Sequence, residues 1–392
     1  MKKKEHISSF EIMRRTNLEK VYLTILAHHP ISRIDISTKT GLNKMTVTNC
    51  VRTLLEAKLI FEWEVAETST GRPPIYLELN YNYGIFIGIE INYLSTKILV
   101  TDIVGRVLEQ RVDPDVAQRP RNFIIEVSEL VKKYQHGYPQ FENGVVAVSI
   151  ALPGNYDEET GMVEFIANMP QWNGFNIREE LKKEIPKIPL FFQNTGRAGA
   201  KGEAFSRKVA AETNLAYIQG SKGLGLSIYS RGSEIISSTG YQGRFGHMII
   251  DVDGRECSCG NRGCLERYAS IDALGDMLYP GEPMDNELCA EIIRRAKNPD
   301  KEMTAALETV IKYLSVGLAN IINCFNPQKI CIGNYLGMVL KGKEKDINEA
   351  VNRLLVPFIR DPHKVYISDL DEWGASYGCI ALVRGEMLYK AL

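Results

Sequence analysis

Residues 243–266, GRFGHMIIDVDGRECSCGNRGCLE, gather three of the chain's eight cysteines into eight positions. Cys257 and Cys259 are one residue apart, and Cys264 follows the turn-forming run Gly260-Asn261-Arg262-Gly263. His247 lies ten residues before Cys257, beyond the apolar Met248-Ile249-Ile250 and the turn Asp251-Val252-Asp253-Gly254. A strand and a reversal there would return the imidazole to the cysteine loop. Three thiolates and one imidazole form a closed tetrahedral donor set, which structural zinc takes and catalytic zinc avoids. The rival readings are ordinary small buried residues and a disulfide. The disulfide is the weaker, because Met1-Lys2-Lys3-Lys4 is not followed by a secretory apolar core and the chain is expected in the cytoplasm.

The same stretch carries a family resemblance. Gly243-Arg244-Phe245-Gly246-His247 followed by Cys-x-Cys-Gly-Asn-Arg-Gly-Cys-Leu-Glu resembles the signature of the ROK family, which contains repressors, open reading frames and sugar kinases. The resemblance implies that His247, Cys257, Cys259 and Cys264 hold a structural zinc beside a sugar pocket. It also implies that Glu266 and His247 face the sugar.

The chain's 392 residues allow two or three domains, and 44% hydrophobic with 24% charged residues is the balance of a globular protein. The net charge of −1 excludes a bulk polyanion binder. Charge is uneven, however: residues 1–80 hold 12 Lys+Arg against 9 Asp+Glu, and the remainder is biased the other way. If any part touches nucleic acid, it is the N-terminal part. No apolar run suggests a membrane span.

Leu18, Val21, Tyr22, Ile25 and Leu26 recur at helical steps between Asn17 and His28, and His29-Pro30 ends that helix. Ser32 can cap a second helix through Ile34, Ile36 and Thr40, with Gly41 as its stop. Asn43 opens a third, with Val47, Val51, Leu54 and Leu55 inward and Lys44, Met45, Thr46, Thr48, Asn49 and Arg52 outward. This is the pattern of a helix-turn-helix, with polar side chains suited to base edges and cations to phosphates. Residues 59–65 and 75–79 alternate as a hairpin, and Thr68 to Pro74 between them carries Gly71-Arg72-Pro73. A solvated turn is the plain reading of that tip. Together, Ile31 to Asp35 with Arg33, the third helix, Leu59-Ile60 and Gly71-Arg72-Pro73 resemble the winged DNA-binding domain of the family's repressors. In a wing, Arg72 would enter a minor groove.

After a hinge at Tyr81 to Gly84, residues 85–92 and 95–102 read as a buried hairpin resembling the first phosphate loop of the actin-like ATPase fold. A family kinase has Asp-x-Gly there, and this chain has Glu90 and Asn92. Asparagine in place of glycine hinders close backbone approach to a phosphate. Asn168, before Pro170-Gln171-Trp172, resembles a sugar-lining position, although a loop asparagine is by default a turn former. At Asn194-Thr195 a family kinase has Asn-Asp, whose Asp is the general base. Threonine cannot accept a proton at neutral pH, so only a ligand contact by Asn194 is expected. Ser227 and Asn334 depart from the other nucleotide loops. Arg244 replaces a commonly sugar-binding glutamate, and it suits either an anionic effector or solvent. Cys50, Cys289, Cys324, Cys331 and Cys379 read as buried small hydrophobes.

The expected architecture is an α/β chain. A winged helix-turn-helix over residues 1–80 precedes a two-lobed actin-like (ribonuclease H-like) effector domain over 81–392. Its first lobe spans about 84–195 with the C-terminal helix, and its second spans about 196–370. The expected activity is sugar-responsive regulation of carbohydrate genes, usually by repression. It requires a palindromic double-stranded DNA operator, a sugar or sugar-phosphate effector and a homodimer or homotetramer. The competing readings are an ATP-dependent sugar kinase and a sensor that meets a protein partner instead of a small ligand. Catalytic residues are expected to be absent.

Overall fold

The computed structural model describes residues 9–64, 75–114, 119–166, 168–206, 213–230, 233–235, 243–361 and 364–392. The chain opens with α1 (Ser9–His28), β1 (Ile31–Ser32), α2 (Arg33–Thr40), α3 (Lys44–Glu56), β2 (Ile60–Glu64) and β3 (Ile75–Leu79). Local chemistry sets these boundaries. The Ser32 hydroxyl accepts from the Asp35 amide at 3.2 Å at the start of α2, and Gly41 ends it at a φ of 71° that other residues adopt at a cost. The Asn43 side-chain Oδ1 accepts from the Thr46 amide at 2.8 Å and starts α3. The three strands form an antiparallel sheet in the order β1-β3-β2.

Helix α1 begins about two turns before the expected Asn17. Phe10, Ile12 and Met13 in those turns are exposed, so they add no buried face to the periodicity. Ile34 is exposed as well, and of α3's expected inner positions Leu55 is only half-buried.

Next come β4 (Ile85–Ile91), β5 (Thr96–Asp102), β6 (Val107–Asp113), α4 (Pro120–Gly137), β7 (Val145–Leu152), the short hairpin β8 (Asn155–Tyr156) and β9 (Val163–Phe165), α5 (Ile177–Glu184) and β10 (Leu190–Asn194). Helix α6 (Thr195–Ser206) leads to β11 (Leu215–Gly220), β12 (Leu224–Ser230), β13 (Ser233–Glu234), α7 (Glu266–Ala269), α8 (Ile271–Leu278), α9 (Asn286–Lys297) and α10 (Lys301–Phe325). The chain closes with β14 (Lys329–Gly333), α11 (Asn334–Leu340), α12 (Glu344–Leu354), β15 (Val365–Ile367) and α13 (Gly374–Lys390).

Two five-stranded sheets result, in the orders β6-β5-β4-β7-β10 and β13-β12-β11-β14-β15. Each has an antiparallel meander followed by two parallel additions. The two halves therefore share one topology, which is the actin-like arrangement. Strands β4 and β5 are buried along their whole length, and edge strand β6 has only exposed and half-buried positions. Helices α6 and α13 pack backbone to backbone between the sheets. A Cβ on Gly378 would stand 1.7 Å from the Ala198 carbonyl, so nothing larger than glycine fits that crossing.

The N-terminal unit shares its core with the rest. Leu18, Val21, Tyr22 and Ile25 of α1 belong to one apolar cluster with Phe86, Leu99 and Ile103 beside the first sheet and with Ile380, Val383 and Met387 of α13. Helix α10 is long and apolar enough to cross a membrane by length and composition. Its apolar residues, Leu307, Val310, Leu314 and Leu318 among them, fill the core beside the second sheet. Of the five cysteines expected in the core, Cys324 is exposed near the end of α10.

Candidate functional site

The loop between β13 and α7 folds back on itself through two isolated bridges, Ile249 with Cys264 and Glu256 with Arg262. The Leu265 amide donates to the Met248 carbonyl at 2.9 Å, which sets the His247 end of the loop beside Cys264. The ligand atoms of His247, Cys257, Cys259 and Cys264 all lie within 4.8 Å of one another. Cys257 Sγ is 3.8 Å from His247 Nδ1, and Cys259 Sγ is 3.6 Å from Cys264 Sγ. Donors around a tetrahedral zinc stand about 3.5–3.8 Å apart, so the set fits that ion. Burial pushes the Cys264 thiol up to about 12, whereas the Asn261 amide donating to Cys259 draws that thiol down. A divalent cation among these sulfurs would hold all three as thiolates.

Glu266, the first residue of α7, closes over this cluster. Its Oε1 accepts from Cys257 Sγ at 3.2 Å and stands 3.4 Å from His247 Nδ1. Two glycines leave room for the carboxylate. A Cβ on Gly246 would come within 2.7 Å of Glu266 Oε2, and one on Gly223 within 3.0 Å. His247, the three cysteines and Glu266 thus form one contiguous site on the second sheet's side.

The other expected effector residues stand on the first sheet's side or reach toward it. Asn194 ends β10, and its Oδ1 accepts from the Gly196 amide at 2.9 Å. Asn168 is exposed just before the 3-10 turn Pro170–Trp172. Arg244 is exposed, and its guanidinium donates to the Asn155 side-chain oxygen of β8. Sequence reasoning missed this partner, because nothing local links residues so far apart. It also missed Arg197, which donates to Glu234 at 2.9 Å and to Glu158 in the β8–β9 turn.

Glu90, Asn92, Thr195, Ser227 and Asn334, the positions read as departures from the family's kinases, are buried among side-chain contacts. Glu90 and Lys97 are both 0% exposed, with Lys97 Nζ 3.4 Å from Glu90 Oε2. Burial alone would lower the Lys97 ammonium, yet the Glu90 carboxylate and Tyr335 beside it hold it above its usual value. Asn92 and Asn334 donate to Glu90 Oε1 at 3.3 and 3.4 Å. Thr195 is buried at the first position of α6, and Ser227 is buried on β12.

On the N-terminal unit, Lys44, Thr48, Asn49 and Arg52 of α3 are exposed and Thr46 is half-exposed. Arg52 donates to Asn49 at 3.3 Å, so the two form one polar patch. Arg33 is already paired with Glu62 of β2 at 2.5 Å. Gly71 and Arg72 lie outside the described residues. A cavity of about 370 Å³ lies between this unit, the first sheet and α13, lined by Leu59, Val146, Phe191, Val383 and Met387. Neither the cysteine cluster nor Glu266 lines it.

The ROK family profile matches residues 86–386. The chain belongs to the ROK family. Over 352 residues it is 30% identical to the xylose repressor of Bacillus subtilis (strain 168), covering 88% of this chain and 90% of that one. It is 26% identical over 390 residues to the DNA-binding transcriptional dual regulator NagC of Escherichia coli (strain K12), covering 97% and 95%. Among solved structures, a ROK family transcriptional regulator, a homolog of the E. coli MLC protein, superposes with a TM-score of 0.75 at 28% identity. That match covers 97% of this chain and 98% of the other. A ROK family glucokinase from Streptomyces griseus superposes with a TM-score of 0.62 at 21% identity over 76% of this chain and 99% of its own, a likeness of fold alone. ROK regulators thus match this chain along nearly its whole length, and the ROK kinase matches about three quarters of it.

Proposed function

We propose that this ROK protein is a sugar-responsive, DNA-binding transcriptional regulator that represses genes of carbohydrate uptake or metabolism. One observation carries the reading: the resemblance to named repressors includes residues before the family match at residue 86, where α2 and α3 form a helix-turn-helix with a polar outer face. Residues 1–80 are the DNA-binding unit and 81–392 the effector unit. The first lobe spans about 84–195 with the C-terminal helix, and the second about 196–370. Lys44, Thr46, Thr48, Asn49 and Arg52 read the operator, with Arg72 and Gly71 at the wing. Arg33 joins them only by giving up Glu62. The protein acts in the cytoplasm as a homodimer or homotetramer, and a two-fold dimer matches a palindromic operator.

His247, Cys257, Cys259 and Cys264 hold a structural zinc, which fixes the loop that presents Glu266. Glu266, His247, Asn168 and Asn194 contact the sugar from the two sides of the cleft, and Arg244 takes a phosphate or carboxylate where the effector has one. The effector changes DNA affinity only to the extent that it prefers one arrangement of the lobes. The protein is no kinase in this reading, since Thr195 stands where a general base is needed and Lys97 and Glu90 neutralise each other.

The test is binding of the purified protein to the DNA upstream of its own gene, with and without paired neutral and phosphorylated sugars. Selective binding weakened by one sugar is the expected result. Phosphoryl transfer from ATP to any of those sugars would overturn the non-kinase reading.

A further inference from the structure

The tip of the β4–β5 hairpin, Asn92-Tyr93-Leu94-Ser95, takes no part in the function proposed above. It leaves the first sheet and ends in the other core. Leu94 is 4% exposed and belongs to the apolar cluster of Ala216, Ile218, Leu224 and Leu336 beside the second sheet. Tyr93 packs against both cores, with Lys222 Nζ 4.1 Å from its ring centre. The tip's shape is set by Asn92, whose Oδ1 accepts from the Leu94 and Ser95 amides at 2.8 and 3.0 Å. At its base the Ser95 hydroxyl meets the Tyr335 hydroxyl at 3.4 Å, and Lys97 Nζ lies 4.6 Å from the centre of the Tyr335 ring. Asn334, next to Tyr335, reaches Glu90 from the second sheet's side.

We propose that this tip is a fixed pivot between the two sheets: the chain's own side chains occupy the nucleotide half of the cleft, and the lobes turn about Leu94 and Tyr335. Withdrawing the tip would expose Leu94. It would also strip Asn334 and Tyr335 from a fully buried ion pair, leaving charge in a low dielectric without its partners. The α6–α13 crossing is equally fixed, a Cβ on Gly202 meeting the Gly374 carbonyl at 2.0 Å, so it and the tip are the two points about which the lobes can turn. The other polar crossings among the described residues are different in kind. Arg244 to Asn155 is a single bond from an exposed guanidinium, and Glu158 to Arg197 is partly solvated. Water replaces such bonds at little net cost. Motion therefore opens the metal side and leaves the nucleotide side shut. The pivot does not rest on the regulator reading.

Hydrogen exchange of the full-length protein, without DNA or sugar, tests the pivot separately from that reading. In the wild type, the amides of Leu94 and Ser95 exchange about 100-fold or more slowly than those of the exposed turn Lys341-Gly342. Tyr335→Ala, although it changes the opposite sheet, speeds exchange of residues 92–98 about tenfold while the loop 247–264 is unaffected. Tyr335→Phe keeps the ring under Lys97 and loses only the hydroxyl's contacts with Ser95 and Lys97, so it gives a smaller change of the same sign in a chain that folds. Tip amides that exchange like an exposed turn in the wild type, or that ignore both substitutions, would overturn the pivot. So would saturable binding of a fluorescent ADP analogue to the wild type, because the pocket would then be open.

Discussion

The Glu266 carboxylate reaches back to the ring of His247, its Oε1 3.4 Å from Nδ1, and the same oxygen accepts from Cys257 Sγ at 3.2 Å. The carboxylate assigned to the effector therefore touches two of the proposed metal ligands. Changing Glu266 to Gln is expected to weaken sugar binding about 10- to 100-fold, the loss of a hydrogen bond to a charged acceptor. Zinc content by elemental analysis stays at that of the wild type. If zinc is lost with the sugar affinity, Glu266 is a support of the metal loop only.

The reverse experiment removes the metal. Cys264→Ser is expected to abolish zinc retention and to destabilise the loop that presents Glu266, because without the cation His247 and the remaining cysteines lose the common centre that ties the loop together. Thermal unfolding shifts down by several degrees, and prolonged chelation of the wild type gives the same shift. Unchanged melting of a zinc-free protein contradicts a structural metal.

On the N-terminal unit the substitutions separate by chemistry. Asn49→Ala costs about 1–3 kcal/mol of operator affinity and relaxes discrimination at one base position. Lys44→Ala weakens binding to every sequence alike and lowers the salt slope by about one. Anisotropy titrations at three salt concentrations distinguish the two. Equal losses of specificity from both would mean that α3 lies differently on the DNA.

Asp272 gives a pH-dependent test of the second lobe. Burial, partly offset by Lys222 at 4.0 Å, pushes its carboxyl up to about 6. The unfolded chain ionises this group first, so its contribution to stability falls as pH rises from about 4 to about 6 and is flat above that. Asp272→Asn should therefore match the wild type near pH 4 and exceed it by about 1–2 kcal/mol above pH 6, the value being reduced for partial exposure. Denaturant titrations of both proteins across that range give the difference directly, and a gap that narrows with rising pH contradicts the assignment.

What was legible in the chain was local chemistry. Ser32, Gly41 and Asn43 announce their helices because caps and positive-φ glycines act within four residues. The alternation of buried strands and helices points to the α/β class for the same reason. What stayed hidden depends on tertiary placement. Arg33 was read as a DNA contact, but nothing in its neighbourhood reveals Glu62, 29 residues away. Arg244 reads from the sequence as suited to an anionic effector or to solvent, and its partner Asn155 is 89 residues away. Cys324 follows apolar Ile321 and Ile322, yet the helical turn directs it outward. Leu94 looked like part of a loop and is a core residue of the opposite sheet.

The most direct test of the regulator reading is fluorescence anisotropy of the full-length protein on labelled DNA from upstream of its own gene, against scrambled DNA of equal length at physiological salt. The account predicts binding about 1,000-fold or more tighter to the former, weakened by one sugar of a neutral and phosphorylated panel. Binding no tighter than to scrambled DNA, with ATP consumed in the presence of one of those sugars, would contradict it.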